Sequence, residues 1–221
     1  MLRSFLALIL FVSVIGISQV RAQDDPDGLN IRASRLIDST MAALNLRAQR
    51  FNEELAKINA VKPLDVTSLG KEVIPNNRGK VKDFLGYLEV YRSLSGKQKE
   101  EVEDSVTVLK AKMPSRHRAT FLKDFLEAYN LDQSAFDKYI LALTKVFTNI
   151  NAALAFIETS NVTIKDTKLQ FTDKEEYEKY SELIAAVEKS NKRLINASAA
   201  SQKATIDASE MMQKAYGAIK K

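Results

Sequence analysis

The chain has 221 residues, no cysteine, no tryptophan, and 33 basic against 28 acidic residues, a net charge of +5. The lack of cysteine excludes disulfide staples, thiol catalysis, cysteine-based zinc sites, attached c-type haem and iron–sulfur clusters. So small a charge over this length gives no argument for nucleic acid as a partner.

Met1 to Ala22 has the layout of a secretory signal peptide. Arg3 supplies the positive start, Phe5 to Ile17 is an almost continuous apolar run, and Val20-Arg21-Ala22 sets small or modest residues before a cut ahead of Gln23. The apolar core is short for a membrane span, and no cysteine follows it to take a lipid. Cleavage removes Arg3 and Arg21 and no acid, so the remaining 199 residues carry +3. The expected location is therefore outside the cytosol. Without disulfides, a periplasm or cell envelope fits better than an extracellular setting. The triplets Asn161-Val162-Thr163 and Asn196-Ala197-Ser198 would matter only in a eukaryote.

Residues 23–29 are acidic, contain Pro26 and Gly28, and read as a flexible tail. Residues 30–221 read as a single helical bundle domain. Ile37, Met41, Leu44, Ala48, Phe51, Leu55 and Ile58 repeat with alternating spacings of four and three, which predicts a helix over 30–60. Pro63, Gly70, Pro75 and Gly79 predict a crossover loop over 62–79. A second helix presents Val81, Phe84, Leu88 and Tyr91 and ends at Leu94-Ser95-Gly96. Ser95 with Gln98 forms a capping box for a third, which buries Val102, Val106 and Leu109 and stops at Pro114. Ser115 caps a fourth, carrying Phe121, Phe125 and Tyr129 and ending at Asn130. Asp132 caps a fifth, with Leu131 and Phe136 at the spacing of a hydrophobic staple, and that helix runs to Thr159.

From Tyr139 to Ile157 the only charge is Lys145, the pattern of a central buried helix. Lys145, Asn149 and Asn151 make it a poor membrane span. Residues 162–171 alternate weakly and predict either a short β-hairpin or an extended loop. Thr172 with Glu175 forms a capping box for the last helix. From Tyr180 through Ile184, Val187, Asn191, Leu194, Ser198, Ser201, Thr205, Ala208, Met212 and Ala215 to Ile219 the seam again alternates by four and three. A helix of about 45 residues would be roughly 70 Å long. The expected fold is all-α: an elongated helical bundle of about six helices with coiled-coil-like seams, a very long C-terminal helix and at most a minor hairpin at 162–171.

No catalytic, metal-binding or cofactor-binding residue emerges. His117 is the only histidine and stands in no metal-binding spacing; no phosphate loop or dinucleotide fingerprint occurs. Lys112, Arg116, His117 and Arg118 form a candidate anion-binding cluster, since a helix start offers free N–H groups. The alternative is a solvated turn balanced by Glu100, Glu101, Glu103 and Asp104. Ser198, Ser201, Thr205 and Ala208 form a small, polar stretch of seam that buries little, and they are the candidate partner contact; the alternative, which the seam favours, is that the last helix folds back on the first and closes the bundle. The leading expectation is an exported, non-enzymatic helical protein acting through protein–protein contacts, with another protein or by self-association. The alternative is a periplasmic chaperone-like or ligand-binding bundle for apolar or anionic cargo, with a cavity between the fourth and fifth helices lined by Phe125, Tyr129, Tyr139 and Phe147. Peripheral membrane contact is compatible with either; a transmembrane segment after cleavage is not expected.

Overall fold

The structure, a computed structural model, describes residues 28–61, 63, 73–112, 116–165 and 168–219. The expected signal peptide at 1–22 and most of the expected tail lie outside the described residues. The elements are α1 (Leu29–Val61), α2 (Ile74–Lys112), α3 (Arg116–Thr159), β1 (Val162–Lys165), β2 (Lys168–Phe171) and α4 (Lys174–Ile219). The fold is all-α with a two-stranded antiparallel hairpin. Among the described residues there are four helices where local signals predict about six.

Two long helices replace four short ones. Ser95 and Gly96 lie inside α2, and Asn130 and Asp132 lie inside α3. Among the described glycines the positive φ belongs to Gly28, at 62°. Gly96 is thus not the left-handed residue that would close a helix. The expected 62–79 loop is also shorter, because α2 begins at Ile74. Pro75 fits there because the first N–H groups of a helix have no partner within it. The Asn77 N–H reaches the Val73 carbonyl at 2.9 Å, closing the first turn. The expected cap Ser115 lies outside the described residues.

The start of α4 also differs from the capping box read from Thr172. The Asp173 carboxylate accepts from the Glu175 N–H at 2.8 Å, and the Asp173 carbonyl accepts from the Tyr177 N–H at 3.2 Å. Asp173 is therefore the cap. The Thr172 hydroxyl turns back to the Asn161 carbonyl at 3.4 Å.

The described residues divide into two compact units, and each helix contributes one segment to each. The first comprises 52–61, 63, 73–92, 137–165 and 168–199; the second comprises 28–51, 93–112, 116–136 and 200–219. In the first unit Val81, Leu88, Tyr139, Ile140, Leu154 and Leu194 are almost fully buried, and Phe84 meets Phe147 edge to face at 4.8 Å. The hairpin belongs here, in the register Val162↔Phe171 to Lys165↔Lys168. Val162 is buried. Phe171 packs between Phe156, at 6.5 Å, and Tyr180, at 5.1 Å. The Asn149 amide donates to the Ala186 carbonyl at 3.0 Å and to the Ser190 hydroxyl at 3.1 Å, tying α3 to α4. By length and composition, α3 holds a stretch apolar enough to cross a membrane, within Thr120–Thr159.

The core of the second unit joins Ala33 and Ile37 of α1, Val102 and Val106 of α2, Phe121, Leu122, Phe125 and Tyr129 of α3, and Ala208 and Met212 of α4. The alternating seams predicted for α1 and α4 are the faces that turn inward.

A Cβ built at Gly86 or Gly96 meets nothing within 4 Å. In a continuous helix, alanine at either place should add about 0.5–1 kcal/mol to the unfolding free energy. Denaturant unfolding of Gly86→Ala and Gly96→Ala checks this. A loss of stability in Gly96→Ala would mean that α2 breaks there.

Candidate functional site

The residues that imitate helix caps in the sequence build a polar layer inside the second unit. Each of the four helices contributes to it. Arg47 of α1 donates through Nη1 to Gln98 Oε1 of α2 at 2.8 Å and through Nη2 to Gln133 Oε1 of α3. The Ser95 hydroxyl of α2 donates to the same Gln133 oxygen at 3.2 Å. Gln133 Nε2 in turn donates to Asp132 Oδ2 at 3.4 Å. The Thr205 hydroxyl of α4 donates to Asp132 Oδ1. Ser95 and Gln133 are each 2% exposed, so neither can exchange its partner for bulk water. Phe51 of α1 meets Phe136 of α3 edge to face at 5.5 Å.

Asp132 is the strained member. Burial pushes its carboxyl above the ordinary 3.8, and this outweighs the hydrogen bonds from Thr205 and Gln133 and the attraction of Arg47. Burial likewise pushes the Tyr139 phenol in the first unit up to about 12. Both shifts have the sign that desolvation gives to an acid.

The residues expected from sequence to form a partner stripe face inward. Ser198 in the first unit is buried, as are Ser201, Ala204 and Ala208 in the second, and Thr205 is half-buried. That burial is the closed-bundle alternative for the last helix and leaves no open stripe among these residues. Small side chains at a seam permit close helix approach, and the seam closes over them. The four aromatic residues expected around a cavity do not line one between two helices, because both predicted helices are α3. Phe125 and Tyr129 stack at 6.3 Å within the core of the second unit, while Tyr139 and Phe147 are buried in the first.

Of the candidate anion cluster, Lys112 is exposed in the last turn of α2 beside Lys110. Arg116, His117 and Arg118 occupy the first turn of α3; their side chains lie outside the described residues. Nearby Lys123 pairs with Glu127 at 3.5 Å on the surface, a contact worth little. Among the described residues, no three His, Cys, Asp or Glu side chains gather to hold a metal ion.

Comparison with protein-family models, with curated proteins and with solved structures gives no match.

Because folding raises the pKa of Asp132, the folded chain holds that proton more tightly than the unfolded chain. The favourable contribution is complete below 3.8 and is lost as pH rises through the raised value. Ionised Asp132 is therefore a burden at neutral pH. The stability of Asp132→Asn relative to wild type should climb as pH rises from below 3.8 through the raised value and then level. Unfolding curves measured across that range check it; a relative stability that falls with pH would reverse the assignment.

Proposed function

We propose that this is an exported, non-enzymatic helical protein that acts through protein–protein contacts in the periplasm or cell envelope. The export part rests on the leader grammar of residues 1–22. The contact part rests on one structural observation. On α2 in the second unit, Leu94 and Val108 are 58% and 53% exposed and lie two heptads apart, with exposed Glu101 midway. Heptad spacing keeps residues on one side of a helix that packs against another. Here that line carries aliphatic side chains out to solvent. Isolated exposed aliphatic residues are ordinary; the spacing is what supports an interaction face.

The polar groups of the second unit add weight by where they point. Arg47, Ser95, Gln98, Gln133, Asp132 and Thr205 satisfy one another between helices. Such a set serves helix pairing.

The experiment is site-specific photo-crosslinking in cells that make the chain with its own leader. With the crosslinker at Leu94 or Val108, one discrete protein adduct should form, on chains whose N-terminus is Gln23. The double change Leu94→Glu and Val108→Glu should abolish a crosslink placed at Glu101. Since both positions are exposed, it should shift stability by no more than about 0.5 kcal/mol. Lipid adducts alone, or none, would contradict the contact reading; adducted chains that still begin at Met1 would contradict export.

A further inference from the structure

The second unit is covered unevenly. Its core is built mostly from large side chains of α1, α2 and α3, among them Ile37, Val106, Phe121 and Phe125. Among the described side chains, the segment of α4 that closes it contributes Ser201, Ala204 and Ala208, with Met212 buried and Met211 partly buried against the core. Small side chains make up the middle of that seam, at Ser201, Ala204 and Ala208. Among the described residues of this segment, the hydrogen bond from Thr205 to Asp132 ties α4 to another helix of the unit.

That tie can open without leaving either partner stranded. The Thr205 hydroxyl has a second acceptor in its own helix, the Ser201 carbonyl at 3.1 Å. When Asp132 lets go, the hydroxyl keeps that bond, a common arrangement for threonine in helices. Asp132 is a half-buried carboxylate whose pKa burial raises, so opening returns it fully to solvent and relieves that cost. Arg47 and Gln133 keep their own bond to each other in either state. The alanines and the Ser201–Thr205 bond leave the segment helical once detached. Segments held by few apolar contacts open below the threshold of global unfolding.

We propose that residues 201–214 of α4 are a releasable strap over the apolar core of the second unit, latched by the Thr205–Asp132 hydrogen bond. Closed, the strap keeps Phe121, Phe125 and Ile37 from water. Open, it uncovers them as a trough between α1, α2 and α3. The strap rests on the contact reading for its biological use, as a control on when apolar surface is presented. Its existence is a separate physical statement.

The chain has no cysteine, so one introduced thiol reports on one place. Ala128 in the second unit and Ala153 in the first are both fully buried on α3. The full-length protein carrying Ala128→Cys should react with a maleimide at least about tenfold faster than the one carrying Ala153→Cys. Adding Thr205→Val removes the hydroxyl donor to a charged acceptor. It should speed labelling at Ala128→Cys by about tenfold or more and leave Ala153→Cys within about twofold. Equal labelling of the two thiols, or an equal response of both to Thr205→Val, would overturn the strap. Hydrogen exchange on the unmodified protein gives a measurement that no variant can spoil. Residues 201–214 should exchange faster than 121–136 of the same unit, and joint exchange would overturn the proposal. A missing crosslink at Leu94 would remove the contact reading and leave these rates as they are.

Discussion

Arg47, Gln133, Asp132 and Thr205 form a chain of hydrogen bonds that ties the helices of the second unit at one level, with Ser95 and Gln98 bonded into it. Helices with heptad seams have a built-in ambiguity: a slide of seven residues restores an apolar face to an apolar face. A polar layer removes it. Any slide separates Gln133 from Arg47 and Ser95, and Asp132 from Thr205. Each buried group left without a partner then costs about 1–3 kcal/mol. The layer adds little net stability when intact, because every member gives up hydration to join it. What it supplies is a penalty for every other register. The rest of the second unit, including the packing of Ile37, Phe125 and Ala208 in one core, depends on that register.

The same residues explain what the sequence hides. Ser95, Gln98 and Asp132 have the side chains and spacings of helix starts, and Gly96 and Asn130 look like helix stops. Read locally, they divide α2 and α3 into four pieces. In the folded chain Ser95, Gln98 and Asp132 have partners on other helices, more than 30 positions away in sequence, and the helices run straight through. A signal was present, but in combination only. Polar residues interrupt apolar seams on all four helices, near 47, 95–98, 132–133 and 201–205. Matched interruptions indicate a shared layer, whereas any one of them alone resembles a cap. Strong periodicity was legible without such comparison. The seam from Ile37 to Ile58, the seam from Tyr180 to Met212 and the buried run from Tyr139 to Ile157 all follow from spacing, whereas the weak alternation at 162–171 leaves a hairpin and an extended loop both open.

The small-residue seam of α4 shows how one pattern supports opposite readings. Ser198, Ser201, Thr205 and Ala208 offer little apolar area, which suggests a surface awaiting a partner. They also let a helix approach closely, and this is what happens: the seam is covered by the chain itself. In the first unit, by contrast, α4 brings Val187 and Leu194 into the core and Tyr180 against Phe171. One helix thus meets two units with different means, large side chains in the first and close approach with a polar latch in the second. Candidate interaction residues accordingly move from the inner seam of α4 to the outer line of α2, at Leu94 and Val108.

The claim that carries this account is that the layer works as a unit, and a mutant cycle tests it most directly. Gln133→Leu alone strands the Ser95 hydroxyl and one edge of the Arg47 guanidinium, and should lower the unfolding free energy by about 2–4 kcal/mol. Adding Arg47→Met and Ser95→Ala removes the stranded groups along with it, so the triple variant should be more stable than the single one. Losses that simply add across the three substitutions would show independent contacts and would contradict a register-setting layer.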